Sequence, residues 1–164
     1  MGVTVRRLRA GDEQVLALIA TDAPDFDLAG RTRPERPLAA GEAAAYLAEP
    51  NVLHWIAEDD GVVLGELLCH LLLMPSEEGR ELLLYSIGVR SSHRRRGVGA
   101  ALVGEMRRWM RSAGVREVWV LADNPGAEAF YAACGFARGG EGEQGTLMLL
   151  RVPGEGDVRR GLRW

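Results

Sequence analysis

The amino-acid sequence predicts one α/β domain in which helices cover both faces of a mixed sheet. Three observations predict this class. Apolar runs typical of strands alternate with amphipathic segments typical of helices, a Gly-containing turn joins two of the runs as a hairpin, and no repeat or linker divides the pattern. With 164 residues, of which 47% are hydrophobic, the chain suits one well-packed domain better than two.

The first part of the chain predicts a strand followed by two helices. Weak alternation over residues 3–8 indicates the strand, and Asp12 then precedes an apolar pattern with helical spacing. Residues 22–38 contain three prolines and no periodicity, so they predict a loop. A short helix over residues 39–49 is expected to follow this loop.

The middle of the chain predicts a hairpin, a further strand and a long helix. Apolar runs at residues 52–58 and 62–73 flank Asp59-Asp60-Gly61, a turn sequence typical of hairpins. Residues 82–89 suit the next strand. Amphipathic spacing over residues 97–113 predicts a long helix directly after it.

The last part of the chain predicts a strand, a helix and a second hairpin. Residues 115–122 suit the strand, and Asn124 followed by Pro125 marks the start of a helix that ends before Gly135. A final hairpin over residues 136–152 and a polar tail over residues 153–164 complete the chain. We therefore expect a single domain over residues 1–152.

Charge and cysteine content narrow the possible partners. A net charge of -3 and a pI near 5.7 disfavour nucleic acid and anionic membranes, because both require a positive excess. Cys69 and Cys134 lack a CxxC spacing, so neither a disulfide framework nor a metal site is expected. No signal peptide or membrane-spanning run is recognised, so we expect a soluble, cytoplasmic protein, for which a homodimer is compatible with the sequence.

The turn between the predicted fourth strand and the long helix carries the strongest functional signal. It reads Arg94-Arg95-Arg96-Gly97-Val98-Gly99. The first N–H groups of a helix have no acceptor within the helix and lie at the positive end of its dipole, so this turn predicts an anion site for a pyrophosphate. Gly97 and Gly99 would let the ligand approach the backbone closely. A dinucleotide-binding motif would need a small residue at Leu102, and the Walker motif Gly-Lys-Ser/Thr is absent.

This hexapeptide resembles the acyl-CoA signature Arg/Gln-x-x-Gly-x-Gly/Ala of the GNAT acetyltransferase superfamily. Residues 122–136, Ala-Asp-Asn-Pro-Gly-Ala-Glu-Ala-Phe-Tyr-Ala-Ala-Cys-Gly-Phe, supply a second family element, an Asn at a strand end followed by a Phe-Tyr helix that closes with Gly-Phe. The resemblance covers residues 3–152. It implies a central, mostly antiparallel sheet with helices on both faces and direct acetyl transfer from acetyl-CoA to an amine, without a metal.

The resemblance also implies roles for individual residues. The strand segment that would pair with the pantetheine arm as an added strand is Ile87, Gly88 and Val89. The pyrophosphate would be held by Arg94, Arg95, Arg96, Gly97, Val98, Gly99 and Ala100. Asn124 would contact the cofactor near its pantetheine end, and the Tyr131 hydroxyl would face the thioester sulfur. The simpler alternative for Arg94, Arg95 and Arg96 is a solvated basic run. For Asn124 it is a helix cap, and for Tyr131 it is core packing.

The chemistry of amine acetylation requires a base and an acid. An alkylammonium resembles lysine, with a pKa of about 10.4, so it must lose a proton before its nitrogen attacks the thioester. Backbone N–H near Val89 could stabilise the oxyanion, and Tyr131 could protonate the leaving thiolate. Cys134 is the candidate for a covalent route, but no base accompanies it in the sequence, which favours a small buried residue.

A closer similarity is to the aminoglycoside 3-N-acetyltransferases, which carry Glu-x-x-x-Tyr-Asp-x-x-Val on the fourth strand. This chain has Glu81-Leu-Leu-Leu-Tyr85-Ser86-Ile-Gly-Val89, so Ser86 replaces the aspartate. The resemblance then implies Glu81 as the base, directly or through water, with Tyr85 and Ser86 lining the acceptor pocket. The alternative for Glu81 is an exposed carboxylate at a strand end.

The expected acceptor is a multiply charged amine, because acidic clefts favour polycations. Asp25 and Asp27 are expected to line the acceptor groove, together with further loop carboxylates: Asp22, Glu77, Glu78, Glu141 and Glu143. An aminoglycoside is the leading candidate. The alternatives are a protein N-terminus, a lysine or a small metabolite amine, or a domain that binds acyl-CoA as a sensor without turnover.

Overall fold

A computed structural model of the protein describes residues 2–26, 36–75 and 79–139. Five strands form one sheet in the order β1-β2-β3-β4-β5. They span Thr4–Arg7, Val52–Asp59, Val62–Leu73, Arg80–Val89 and Val118–Trp119. The first four pair antiparallel and β5 pairs parallel to β4, so the predicted mixed sheet is confirmed.

Helices cover both faces of the sheet, as the sequence predicts. Helices α1 to α5 span Glu13–Thr21, Ala23–Phe26, Ala40–Ala48, Val98–Ala113 and Pro125–Ala133, and a 3₁₀ turn spans Ser91–His93. Helix α2 lies inside the segment predicted as a loop. The predicted final hairpin beyond residue 139, the polar tail and the domain boundary at residue 152 lie outside the described residues.

Strand β2 shows why the sheet needs two helical layers. Its residues are buried on both faces: Leu53, Trp55 and Ala57 join the core under α4 and α5, whereas His54 and Ile56 face the opposite side. The core on that side is built from Leu8, Leu16, Phe26, Ala43, Ile56 and Val63 of α1, α2, α3 and the sheet. A strand with two buried faces reads as a continuous apolar run, which is the pattern found in the sequence.

Strand β5 is much shorter than the predicted strand over residues 115–122. Its pairing with β4 consists of Leu82 with Val118 and Leu83 with Trp119. Val118 packs against the core, but Leu121 is 62% exposed, so the chain beyond Trp119 does not continue as a half-buried strand. Among the described residues, no strand pairs with residues 84–89 of β4 on the side of β5.

A β-bulge lies where β4 and β5 stop pairing. Leu68 of β3 pairs with Ser86 and the next residue, Cys69, pairs with Leu84, which leaves Tyr85 as the extra residue of β4. A bulge bends its strand and increases the local twist. The bend lies next to the gap between β4 and β5, which is the stretch of residues 84–89 where β4 has no partner on this side among the described residues.

Candidate active site

The unpaired part of β4 forms one wall of the candidate site. Ile87, Gly88 and Val89 lie in this part and run directly into the turn before α4. A strand edge without a partner presents a row of N–H and C=O groups to whatever lies beside it. An extended amide-containing chain could pair there, as expected for a pantetheine arm.

The turn before α4 forms an anion site at the end of that edge. Arg95 and Gly97 have positive φ angles of 61° and 84°, and Gly97 is the N-cap of α4. Ala101 N donates to Gly97 O at 2.9 Å, so the N–H groups of Val98, Gly99 and Ala100 precede the first helical bond and have no acceptor within the helix. The position and polarity fit a pyrophosphate.

Gly97 and Gly99 are needed for different reasons. A Cβ on Gly97 would meet no atom within 4 Å, so the positive φ is what favours glycine there. A Cβ on Gly99 would lie 3.0 Å from the Phe130 ring, so this glycine lets α5 pack closely against α4. The sequence explanation, close approach of a ligand, was incomplete for Gly99.

The three arginines of the turn differ in their surroundings. Arg94 donates from Nε to Val89 O at 3.2 Å and from its guanidinium to Asp25 O at 3.4 Å, so it braces the turn. Arg95 and Arg96 are exposed. Their charges are therefore available to an anion at the helix N-terminus.

Helix α5 carries Asn124 and Tyr131, the two residues to which the family resemblance assigns roles beside the cofactor. Asn124 caps the helix, because its side-chain oxygen accepts a hydrogen bond from Ala127 N at 2.8 Å. Tyr131 is 8% exposed and packs between the rings of Phe130 and Phe136, with both centroids 5.3 Å away. Burial raises the pKa of Tyr131 to about 12, so its hydroxyl is protonated at neutral pH and is a weaker acid than an exposed tyrosine.

These features match a known family. A profile of the acetyltransferase (GNAT) family aligns with residues 16–136. The chain belongs to the GNAT family. GNAT enzymes take their acetyl group from acetyl-CoA, and the free β4 edge followed by an open helix N-terminus fits that cofactor.

A curated GNAT relative and three solved structures show how far the similarity extends. N-acetyltransferase 8 of Rattus norvegicus is 28% identical over 108 residues, which cover 65% of this chain and 49% of that protein. The chain thus spans about half the length of the curated relatives it matches. An aminoglycoside acetyltransferase, HMB0005, from an uncultured soil metagenomic sample superposes with a TM-score of 0.76 at 19% identity, covering 94% of this chain and 100% of that one.

Two further structures share the GNAT fold with different named activities. The ribosomal-protein-alanine N-acetyltransferase of Brucella melitensis biovar Abortus 2308 has a TM-score of 0.70 at 16% identity, with 92% and 100% coverage. The aminoglycoside N-acetyltransferase AAC(6')-Iy in complex with CoA has a TM-score of 0.67 at 19% identity, with 92% and 95% coverage. Identities this low establish the fold and leave the acceptor open.

Within residues 2–26, 36–75 and 79–139, neither a metal site nor a membrane-spanning helix is present. No group of His, Cys, Asp and Glu side chains there could hold a metal ion. No helix there is long and apolar enough to cross a bilayer.

The carboxylate proposed from sequence as the base of this GNAT domain lies away from the bulge. Glu81 pairs with Leu72 near the start of β4, four residues before Tyr85. At roughly 3.3 Å per residue, the two backbone positions are about 13 Å apart. Tyr85 itself is 69% exposed and meets the His70 ring edge-on at 5.5 Å.

A different carboxylate, Glu66 of β3, lies beside Ser86. Ser86 Oγ donates to Glu66 Oε1 at 3.4 Å, and the other carboxylate oxygen lies 3.0 Å from His54 Nε2. His54 Nδ1 is in turn 3.0 Å from the Tyr46 hydroxyl. The sequence did not single out Glu66 as a site residue. The available signal was that Glu66 is the single carboxylate in the mainly apolar run Val62–Leu73.

Asp25 is engaged in an anchor between α2 and the end of β4. Its carboxylate pairs with Arg90 at 3.1 Å and accepts hydrogen bonds from the Ser91 hydroxyl and backbone, and Asp22 pairs with the same guanidinium. These bonds, the Ser91 hydroxyl first, lower the pKa of Asp25. The structure thus assigns Asp25 a bracing role that the sequence did not predict. Asp27 and the predicted loop glutamates at 77, 78, 141 and 143 lie outside the described residues.

Cys134 does not resemble an activated nucleophile. Burial raises the pKa of its thiol, against a smaller opposing effect of Arg107. The thiolate form needed for attack is therefore scarce at neutral pH. This disfavours Cys134 as a nucleophile.

Proposed function

We propose that this GNAT domain acetylates the amine of a small polycationic acceptor, with aminoglycosides as the first candidates. The observation that carries the acetyl-CoA part of this proposal is the continuity of the unpaired β4 edge with the open N-terminus of α4. Together they offer an extended pairing surface for the pantetheine arm and an anion site for the pyrophosphate at its end.

The cofactor would be held mainly by backbone groups. Ile87 and Val89 would pair with the amides of the pantetheine arm, and the free N–H groups at residues 98–100 would bind the pyrophosphate. Arg95 and Arg96 would add positive charge from the exposed side of the turn. Asn124, besides capping α5, would contact the cofactor beside the gap.

The reaction would proceed in one displacement at the thioester carbon. The neutral amine attacks, a C–N bond forms and an oxyanion develops, which backbone N–H near Val89 would stabilise. The C–S bond then breaks and the leaving thiolate takes the Tyr131 proton. The Tyr131 hydroxyl is protonated at neutral pH, as this role requires.

The acceptor proposal rests on the fourth-strand pattern and on charge. The Tyr85-Ser86 pair lies at the bulge, next to the position where the acetyl group would sit, and Tyr85 is exposed enough to line a pocket. The chain carries a net charge of -3, which attracts polycations. Asp25 would contribute to this attraction at long range, because Arg90 and Ser91 already bind its carboxylate. Asp27 remains a proposed contact.

A second candidate acceptor is a protein N-terminus. The ribosomal-protein-alanine N-acetyltransferase shares the fold with a TM-score of 0.70, close to that of the aminoglycoside enzyme. A lysine, a small metabolite amine or an acyl-CoA sensor without turnover are the remaining alternatives. The proposed role of Tyr131 would favour turnover over sensing, because a proton donor for the leaving thiolate has no use in a sensor.

One assay would separate these acceptors. The purified protein is incubated with acetyl-CoA and a panel comprising gentamicin, spermidine, an alanine-initiated peptide and an internal-lysine peptide, and CoA release is followed. We expect gentamicin to be acetylated with the highest kcat/KM. Efficient turnover of either peptide without turnover of gentamicin would show that the acceptor is a protein amine and not a small polycation. If the protein binds CoA but forms no free CoA from acetyl-CoA with any amine of the panel, a sensor would be favoured.

A further inference from the structure

The polar chain from Tyr46 to Ser86 is the second notable feature of the site, and it lies on the face of the sheet opposite α4. Its members come from α3, β2, β3 and β4, so tertiary contacts alone bring them together. The side chains of His54 and Glu66 are 8% and 12% exposed. Burying a carboxylate costs free energy unless hydrogen bonds compensate for the lost water, so a carboxylate in this position suggests a functional role.

The hydrogen bonds of this chain have one consistent direction when Glu66 is ionised. An ionised carboxylate can only accept, so His54 Nε2 must donate to it. In the neutral imidazole, Nδ1 is then the acceptor and the Tyr46 hydroxyl donates to it. Ser86 donates from the other side. All donors therefore point towards Glu66 and fix the orientation of its carboxylate.

Glu66 also lies against the segment expected to bind the cofactor. It pairs in register with Gly88, and a Cβ on Gly88 would lie 3.5 Å from Glu66 Oε1. Ser86 is half-buried and separates the carboxylate from the bulge. A hydroxyl in that position can pass a proton from a group outside to the carboxylate behind it.

We propose that Glu66 is the proton acceptor of the acetyl transfer, reached through Ser86 and held in place by His54 and Tyr46. This inference rests on the proposed function. The acceptor ammonium gives a proton to Ser86 Oγ while the Ser86 hydroxyl proton moves to Glu66 Oε1. The nitrogen is left neutral for attack and Glu66 becomes a carboxylic acid. The 3.4 Å separation of Ser86 and Glu66 is long, as catalytic hydrogen bonds often are before a substrate is bound.

The proposal explains how Ser86 can stand where the similar fourth-strand pattern has an aspartate. The carboxylate is supplied from the neighbouring strand, one hydroxyl further from the acceptor. Glu66 and His54 are then positioned by the register of β2, β3 and β4. Glu81, about 13 Å along β4 from the bulge at roughly 3.3 Å per residue, is the rival base.

Four variants test this assignment with gentamicin, or with whichever member of the amine panel the wild type turns over fastest. Glu66→Gln should lower kcat by roughly 10²-fold or more, the size expected for loss of a general base. Glu117→Gln, the same change at an exposed position before β5, should leave kcat unaltered. Glu81→Gln should lower kcat less than Glu66→Gln does. Ser86→Asp in the Glu66→Gln background should recover about tenfold, since it returns a carboxylate to the site.

The melting temperature and the CoA affinity of each variant are measured beside the kinetics. If Glu66 served folding alone, Glu66→Gln would change both of these quantities. Rescue by Ser86→Asp cannot arise from a merely structural glutamate. A near-normal kcat for Glu66→Gln, a larger loss for Glu81→Gln, or absence of rescue would overturn the assignment while leaving the acetyltransferase intact. A wild type that acetylates no amine of the panel would instead overturn the proposed function, and this inference with it.

Discussion

At the scale of single residues, the site depends on groups whose surroundings change their chemistry. Tyr131 is the clearest case, since burial keeps its hydroxyl protonated while the rings of Phe130 and Phe136 fix its position. Within the described residues, no side-chain hydrogen bond of the Tyr131 hydroxyl is found. Under the proposed mechanism, this buried hydroxyl is the donor that protonates the leaving thiolate.

Replacing Tyr131 by phenylalanine should therefore separate catalysis from packing. The ring would still pack between its neighbours, so CoA affinity and thermal stability should change little. If the hydroxyl protonates the thiolate, kcat should fall by roughly 10²-fold or more. Steady-state kinetics, with a pre-steady-state check that chemistry limits the rate, measures the effect. A turnover number close to that of the wild type would remove Tyr131 from the mechanism.

At the scale of elements, the N-terminus of α4 combines a backbone conformation with a binding surface. Gly97 adopts a positive φ that residues with side chains rarely adopt, and it opens the helix at the free N–H groups. Gly104, in the interior of the same helix, has ordinary backbone angles and open space where a Cβ would lie. The two glycines therefore provide a matched pair.

Gly97→Glu should abolish CoA binding, because it places a carboxylate where phosphate oxygens would approach. Gly104→Glu introduces the same side chain further along the helix and should leave CoA affinity near the wild-type value. Isothermal titration with CoA measures both. Equal affinities for the two variants would show that the helix N-terminus is not the pyrophosphate site. Melting curves for both variants show whether strain at Gly97 has unfolded the helix.

At the scale of the whole molecule, net charge and acceptor class are linked. A chain with a charge of -3 attracts a polycationic acceptor over distances that salt shortens, since exposed charges interact over about 10 Å at 0.1 M ionic strength. The attraction arises from the summed charges of the chain and not from a single side chain. It therefore acts on the encounter of enzyme and acceptor more than on the chemical step.

If gentamicin is the acceptor, its kcat/KM should fall as salt is added, whereas kcat should stay nearly constant. A singly charged amine, assayed in the same salt series, should show a much weaker dependence. Initial rates at subsaturating acceptor measure the effect. An equal salt response for the two amines would contradict electrostatic attraction of a polycation and would weaken the acceptor proposal.

The sequence by itself determined the family-level features of this protein. Apart from α2, which lies in a predicted loop, and the short β5, the strands and helices, the glycine turn before α4 and the Asn124 cap were predicted close to their observed positions, because they depend on local preferences of the chain. Helix periodicity and capping act within a few residues, which is why a single sequence reveals them.

Only the tertiary structure decided which side chains meet across the sheet. The bulge at Tyr85, the short pairing of β5 and the contact of Glu66 with Ser86 depend on strand register, which local sequence does not specify. The same holds for Asp25, whose carboxylate binds Arg90, 65 residues away. Residues this far apart in sequence become neighbours only when the sheet has formed, so the candidate proton path could be found only in the folded chain.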